Sequence, residues 1–170
     1  MVSGKVNDLE VSVENLSFLD IFQIQKYLDD LEIARRAFGV VCDSPQLHEN
    51  ISKLKKSMWL NRNSFKIIKY NKRTVGFIQY HYESSHQVKV GIVIGEKKYW
   101  GKNIGSMALK KFIFHLFRSD NNLLRIVLDT ASYNIIAQKC FEKVGFKVYK
   151  EDNGKIYMEI TREMFENGIS

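Results

Sequence analysis

Apolar positions along the chain follow two spacings, one typical of helices and the other typical of strands. Spacings of three and four residues predict four helices. These helices cover residues 17–36, 45–60, 106–117 and 134–144. Runs that alternate apolar and polar residues, or that are rich in β-branched and aromatic residues, predict seven strands. These strands cover residues 9–13, 65–70, 75–82, 88–95, 124–130, 146–149 and 156–160.

The order of these elements is β-α-α-β-β-β-α-β-α-β-β, which predicts an α/β (α+β) fold with a mixed sheet flanked by helices. Hairpin turns are expected at Asn71-Lys72-Arg73 and at Asn153-Gly154, because these residue types favour tight turns. The chain has 170 residues without an internal repeat or linker. We therefore expect a single domain over residues 1–170.

Composition restricts the class of protein. Lys and Arg total 26 against 19 Asp and Glu, and the resulting charge of +7 favours a polyanionic partner, either nucleic acid or a phosphate-bearing cofactor. No stretch approaches the roughly 20 apolar residues of a membrane span. Cys42 and Cys140 lie far apart, without metal-ligand spacing. We expect a cytoplasmic protein with no metal site and no membrane contact.

The segment from Tyr99 to Ser106 carries the first functional signal. It connects a predicted strand to a predicted helix and contains Gly101 and Gly105. Glycine allows the backbone to approach a ligand closely, and the first amides of a helix lie at the positive end of its dipole. The segment therefore predicts a phosphate-binding loop, and a purely structural turn is the alternative.

Two stretches resemble the GNAT superfamily of acetyl-CoA-dependent N-acetyltransferases. Residues 100–105, Trp-Gly-Lys-Asn-Ile-Gly, are similar to the family's pyrophosphate loop, Gln/Arg-x-x-Gly-x-Gly/Ala. Residues 134–146 are similar to its Asn-x-x-Ala-x-x-x-Tyr-x-Lys-x-Gly-Phe segment. The form Tyr-Trp-Gly-Lys at 99–102 resembles the ribosomal-protein and aminoglycoside acetyltransferase branch. The resemblance covers about 73–160 and implies a GNAT-like fold with a mostly antiparallel sheet.

The resemblance also implies how acetyl-CoA would bind. The backbone of residues 92–94 would pair with the pantetheine arm as an added strand, and the amides of residues 101–106 would hold the pyrophosphate. Asn134 would bind the pantetheine or diphosphate, while Lys139 and Lys143 would approach the adenosine phosphates or form a solvated face. The implied cofactor-binding residues are Ile92, Val93, Ile94, Gly101, Lys102, Asn103, Ile104, Gly105, Ser106, Asn134, Phe141 and Lys143.

The chain departs from the family at three positions that matter chemically. Asn103 replaces the first glycine of Gly-x-Gly, although asparagine tolerates left-handed backbone better than most residues. Phe141 occupies the position of a tyrosine that often protonates the leaving thiolate, and Lys89 occupies the position of a carboxylate base. Other candidates for the proton donor are water, Tyr133, Tyr149, Tyr157 and Cys140.

Direct attack by the amine is typical of the family, so no protein nucleophile is expected. The amine must lose a proton, often through water to a carboxylate or histidine. Asp129, at the end of a predicted central strand, matches an acidic residue with that role in some N-terminal acetyltransferases, and a structural strand-end aspartate is the alternative. His81, Glu83 and His86 are further candidates near the preceding turn.

The residues indicate the chemical class of the acceptor amine less directly. Asp29, Asp30 and Glu32 lie near the end of the first predicted helix, where relatives often contact the amine. An acidic patch there would suit a polyamine, an aminoglycoside or a protein N-terminus, and a solvated face is the alternative. We expect an N-acetyltransferase acting on a small-molecule or peptide amine, and we allow for a homodimer.

Two other functions compete with this hypothesis. Phe141 and Lys89 favour a non-catalytic acetyl-CoA-binding sensor or interaction module. The charge of +7 favours a nucleic-acid-binding protein, which ranks last because no recognised nucleic-acid motif accompanies it. We therefore expect no nucleic-acid partner.

Overall fold

The computed structural model describes residues 10–168, which form a seven-stranded sheet with helices on both faces. The strands are β1 (Val11–Asn15), β2 (Phe65–Tyr70), β3 (Arg73–Ser84), β4 (Gln87–Ile94), β5 (Arg125–Ala131), β6 (Lys147–Asp152) and β7 (Lys155–Thr161). The helices are α1 (Phe18–Asp29), α2 (Leu31–Phe38), α3 (Pro45–Leu60), α4 (Ile104–Ser119), α5 (Ile135–Val144) and α6 (Arg162–Asn167). Within this part of the chain, none of the helices is long and apolar enough to span a membrane.

The strand order is β1-β2-β3-β4-β5-β7-β6. All neighbours are antiparallel except β4 and β5, which run parallel, so the predicted mixed sheet is confirmed. Asn71 and Lys72 adopt positive φ angles of 50° and 64°, and Asn153 and Gly154 adopt 48° and 73°. Left-handed backbone at both central residues is the geometry of a tight hairpin, which confirms both predicted turns.

Two apolar cores lie on opposite faces of the sheet. The larger one lies beneath α4 and includes Val88 and Val90 of β4 and Ile126 and Leu128 of β5. The smaller one lies beneath α1, α2 and α3. Among the residues described, none from β5, β6 or β7 belongs to the smaller core, so the three N-terminal helices cover only part of their face.

The predicted helix over residues 17–36 is in fact two helices. The chain turns at Asp30, whose side chain accepts hydrogen bonds from the amides of Glu32 (3.0 Å) and Ile33 (3.3 Å) and so caps α2. Apolar spacing continues through this break, which is why the pattern merged the two. Leu9, the start of the predicted first strand, lies outside the described residues, and α6 was not predicted.

Parallel pairing between β4 and β5 is short. Gln87–Lys89 pairs with residues 125–127, and beyond these residues the two strands lose their pairing. On its other side, β4 stays paired with β3 as far as Ile94. One edge of β4 is therefore left facing a gap, and an unpaired strand edge can bind an extended ligand.

We predict that Gly95→Ala destabilises the fold, because a methyl group has no space there. A Cβ on Gly95 would lie 2.1 Å from Cγ of Tyr27, whose hydroxyl donates to the carbonyl of Thr74 (2.8 Å). The clash should lower the free energy of unfolding by roughly 1–3 kcal/mol, measured by urea denaturation. Gly91→Ala is the matched control, since a Cβ there meets no atom of the described part of the chain within 4 Å. Equal losses in the two variants would contradict this account.

Candidate functional site

A cavity of about 320 Å³ opens beside the unpaired edge of β4. Its walls come from α2, the C-terminal half of β4, residues 99–101 and 103, the first turn of α4, and α5 with its cap Asn134. Apolar side chains such as Ile33, Ile92 and Phe141 line much of it, while Asn103 and Lys143 are polar. A long apolar wall with a polar end suits a ligand that has a slender arm and a charged group.

The backbone of β4 supplies hydrogen-bonding groups to this cavity. The amide of Gly95 donates to the carbonyl of Val75 (2.8 Å), on the β3 side of β4. Because successive peptide groups of a strand alternate in direction, those of Ile92 and Ile94 point toward the gap. The Ile94 carbonyl accepts a hydrogen bond from the indole Nε1 of Trp100 (2.7 Å). An extended ligand can therefore pair with the Ile92 peptide groups and the Ile94 amide, but not readily with the Ile94 carbonyl.

The loop before α4 directs backbone amides at the cavity. Gly101 and Asn103 adopt positive φ angles of 73° and 65°. Within the described chain, no side chain caps the first turn of α4, so its amides remain available at the positive end of the helix dipole. The side-chain oxygen of Asn103 instead accepts from Nζ of Lys143 (2.7 Å). Asparagine thus reaches the left-handed backbone of the glycine it replaces and binds α5 to the loop.

Helix α5 contributes its N-terminus and one face to the cavity. The side chain of Asn134 caps the helix by accepting from the amide of Ala137 (3.4 Å). Phe141 is buried, with its ring centroid 6.1 Å from that of Phe146, and offers an apolar wall without a proton. Burial raises the pKa of the Cys140 thiol, so this side chain is a protonated, weak nucleophile.

The alternative proton donors are dispersed. Cys140 lines the cavity, whereas Tyr133, Tyr149 and Tyr157 do not. Cys140 lies beside the first turn of α4, since a Cβ built on Gly105 would be 3.4 Å from Sγ of Cys140. Three of the four side chains thus lie outside the cavity lining, and the fourth is a thiol, so none is a direct substitute for the missing tyrosine hydroxyl.

All but one of the residues predicted to bind the cofactor line this cavity. The exception is Lys102, whose ammonium lies 5.9 Å from the centroid of the Tyr99 ring and outside the lining. Sequence reasoning missed the contribution of α2, including Ile33 and Arg36. Tertiary packing alone brings α2 to the cavity, where the Arg36 guanidinium stacks on Trp100, 4.6 Å from the ring centroid.

Asp129, the predicted general base, does not line the cavity. Its carboxylate binds Nζ of Lys89 (2.6 Å) and of Lys155 (3.0 Å). Burial alone would raise the pKa of Asp129, but hydrogen bonds and charge from the two lysines outweigh it and lower this pKa. A carboxylate with two cationic partners and a lowered pKa is a weak base, so these contacts favour the alternative of a structural strand-end aspartate.

The acidic cluster near α1 and α2 is already paired. Asp29 binds Lys55, and both Asp30 and Glu32 bind Nζ of Lys97 at 2.8 Å. These ion pairs favour the solvated-face alternative over an acidic substrate patch.

The further base candidates also lie away from the cavity. His81, Glu83 and His86 are exposed residues near the turn between β3 and β4, and none of them lines it. Nδ1 of His86 lies 2.9 Å from the carbonyl oxygen of Asn122. None of the general-base candidates taken from the sequence therefore lines this cavity.

Two kinds of comparison relate the chain to known proteins. A family model described as an acetyltransferase (GNAT) domain matches residues 16–147. The aminoglycoside acetyltransferase AAC(6')-Ib, in complex with ribostamycin and coenzyme A, is 21% identical with a TM-score of 0.76, over 95% of this chain and 98% of that chain. A GNAT-family acetyltransferase from Bacillus anthracis is 18% identical with a TM-score of 0.70, over 91% and 96% of the two chains. At these identities the structural likeness concerns the fold.

We predict that Asn103→Ala destabilises the protein more than Asn103→Gly does. Both variants lose the contact with Lys143, so their difference isolates the left-handed backbone of the loop. Alanine should lower the free energy of unfolding by about 1–2 kcal/mol relative to glycine, because its Cβ disfavours this conformation. Urea denaturation of the two variants measures the difference, and a larger loss for glycine would contradict the prediction.

Proposed function

Because the chain belongs to the GNAT acetyltransferase family, we propose that it transfers an acetyl group from acetyl-CoA to a primary amine by direct attack. The observation that carries this proposal is the meeting of two features in one cavity. These are the unpaired edge of β4 and the uncapped N-terminus of α4. We propose a small-molecule or peptide amine as the acceptor and a single domain over residues 1–170.

The edge of β4 suits the pantetheine arm. The two amides of the pantetheine arm require hydrogen-bond donors and acceptors spaced as in a strand. The peptide groups of Ile92 and the amide of Ile94 provide them. The apolar side chains of Ile33 and Phe141 would enclose the methylene groups of the arm. Trp100 fixes the far end of this edge through its bond to the Ile94 carbonyl.

The loop from Gly101 to Ser106 suits the diphosphate. Exposed amides at the positive end of α4 stabilise negative charge, as helix N-termini commonly do for phosphate groups. Lys143, Lys139 and Arg36 also line the cavity and add positive charge there. Lys143 is already held at the loop by Asn103, so its ammonium is positioned before a ligand arrives.

Acetyl-CoA would supply an activated acetyl thioester. Attack by a neutral amine would form the C–N bond of the amide and break the C–S bond, while the nitrogen loses one proton and the CoA thiolate gains one. The chain contributes mainly the positions of the two reactants, which can account for a large part of a rate enhancement. Phe141 has no proton to donate, and Asp129 is committed to two lysines. We therefore assign the transfer of both protons to solvent rather than to a side chain.

A non-catalytic acetyl-CoA sensor is the second candidate, and Phe141 is the observation that favours it. The same cavity would bind the cofactor, but no acetyl group would be transferred. Measurements of binding and of turnover separate the two candidates.

We predict that CoA stabilises the protein saturably against heat and that Gly105→Leu weakens this effect, with Gly105→Ala as the matched control. A Cβ on Gly105 would lie 3.4 Å from Sγ of Cys140 and 3.6 Å from Cγ1 of Ile94, so a methyl group fits at this Gly/Ala position of the loop pattern, whereas the longer leucine side chain would enter the cavity. Leucine should lower the affinity for CoA about tenfold or more, equivalent to about 1.4 kcal/mol, and alanine should lower it less. The melting temperature of the alanine variant without CoA should stay the same or rise, because alanine favours a helix over glycine. If millimolar CoA leaves the melting temperature of the wild-type protein unchanged, the cofactor proposal fails.

We predict thiol release from acetyl-CoA when a suitable primary amine is added. The panel includes amino acids, short peptides, polyamines, kanamycin and ribostamycin, since related structures contain the last two compounds. The rate should rise with pH as the acceptor amine loses its proton, because only the neutral amine attacks. Binding of CoA without thiol release from any amine would support the sensor instead.

A further inference from the structure

Lys89 and Asp129 form an ion pair across the point where β4 and β5 part. Lys89 is the last residue of β4 that pairs with β5, where its partner is Val127. Asp129 lies two residues further along β5, and its Oδ1 is 2.6 Å from Nζ of Lys89. The ion pair therefore stands at the inner end of the gap, while the proposed phosphate loop lies at the outer end.

This ion pair lies on the face of the sheet opposite α4. Val88, Val90 and Leu128 belong to the core beneath α4, so the alternating residues Lys89 and Asp129 point the other way. Within residues 10–168, the smaller core beneath α1, α2 and α3 includes no residue of β5, β6 or β7. Val127 and Ala131, which flank Asp129 on this face, are buried, but the side chains of Lys89 and Lys155 are partly exposed. A molecule can therefore approach the pair through these two lysines.

Gly91 leaves space on the same face. It follows Lys89 by two positions on β4, and a Cβ built on it would meet no atom of residues 10–168 within 4 Å. The space lies between the ion pair and residues 92–94, which carry the proposed pantetheine-binding groups. An acceptor that enters here would reach the inner end of the gap, where the thioester of a bound cofactor is expected.

The ion pair carries surplus positive charge. Lys155 is a second cation on Asp129, with its Nζ 3.0 Å from Oδ2, so two ammonium groups share one carboxylate. The side chains of Lys89 and Lys155 remain 37% and 45% exposed, which leaves both able to contact a ligand. We call Lys89, Asp129 and Lys155 the fork cluster.

Neighbouring acidic residues offset the charge of the fork cluster only in part. Arg125 pairs with Glu159, and Nζ of Lys150 lies 2.9 Å from Oδ2 of Asp152. Glu83 lies toward the turn between β3 and β4, where it accepts a hydrogen bond from Gln87, and its charge reaches Lys89 through space without a direct ion pair.

The acidic residues of α1 and α2 do not offset this surplus. Asp29, Asp30 and Glu32 are all bound to lysines of the chain itself. A polycationic acceptor would therefore meet net repulsion at the fork cluster rather than attraction.

We propose that the acceptor amine carries a nearby anionic group, a carboxylate or a phosphate ester, that the partly exposed Lys89 and Lys155 bind on this face of the gap. This inference rests on the proposed acetyl transfer. Charge-assisted hydrogen bonds to the two ammonium groups orient the acceptor. The same positive charge favours the neutral form of the incoming amine, which is the form that attacks.

Equilibrium binding to the CoA-saturated protein tests the inference with two matched pairs of probes. Glycine is compared with glycinamide, and glucosamine 6-phosphate with glucosamine, by titration calorimetry. The anionic member of at least one pair should bind about tenfold tighter, as expected for a charge-assisted hydrogen bond. The pair that shows the preference distinguishes a carboxylate from a phosphate ester. Equal affinities within both pairs, or no binding by either anionic probe, would overturn the inference.

Three variants should change the preference for the anionic probe in opposite directions in the same titration. Lys89→Gln and Lys155→Gln each leave one lysine for one carboxylate, so the preference for the anionic probe should fall about tenfold. Asp129→Asn frees both lysines and should strengthen it, which a simple loss of folded protein cannot imitate. Lys53→Gln is the control, because that side chain is 70% exposed on α3 and pairs with Glu49. Weaker anion binding in Asp129→Asn would refute the role of the fork cluster.

Turnover separates this inference from the proposed function. Faster thiol release with polyamines than with anionic amines would overturn the inference while supporting acetyl transfer. Failure of CoA to bind would overturn the proposed transfer, and the same titrations without CoA would still measure the preference for an anion.

Discussion

Hydrogen bonding between β4 and β5 ends after Lys89 and Val127, and the whole site depends on this early end. Because β4 stays paired with β3 to Ile94, the open edge belongs to a rigid strand. The cavity with the helix amides lies along this edge, and the fork cluster lies where the strands part. A fully paired β4 and β5 would leave neither an edge for an extended ligand nor a passage between the two faces of the sheet.

The loop shows how a departure from a family pattern can preserve a backbone. Asn103 takes the left-handed conformation expected of glycine, and its side chain binds Lys143 on α5. Trp100 adds a second connection, since its indole donates to Ile94 and stacks beneath Arg36 of α2. The loop is therefore held from three elements before any ligand binds, which lowers the entropy lost on binding.

Periodicity predicted most strands and helices because most of these elements have an apolar face, and the family resemblance identified much of the cavity lining. Periodicity does not predict contacts between segments that are distant in the sequence. Apolar spacing runs through the break at Asp30, where a side-chain cap divides α1 from α2. Similarly, Lys155 approaches Asp129 only because β5 pairs with β7. The sequence alone therefore did not predict the two ion pairs that Asp129 forms in the fold.

The buried ring of Phe141 has a consequence for how such a reaction would respond to acidity. A tyrosine at this position would add its own titration to the rate profile, but a phenyl ring has none. The ion-paired Asp129 titrates below the usual aspartate range, well away from neutral pH. With neither group titrating near neutrality, the working range of the protein on the proposed reaction would be dictated by the ionisation of its substrate, and amines of different basicity would give different optima.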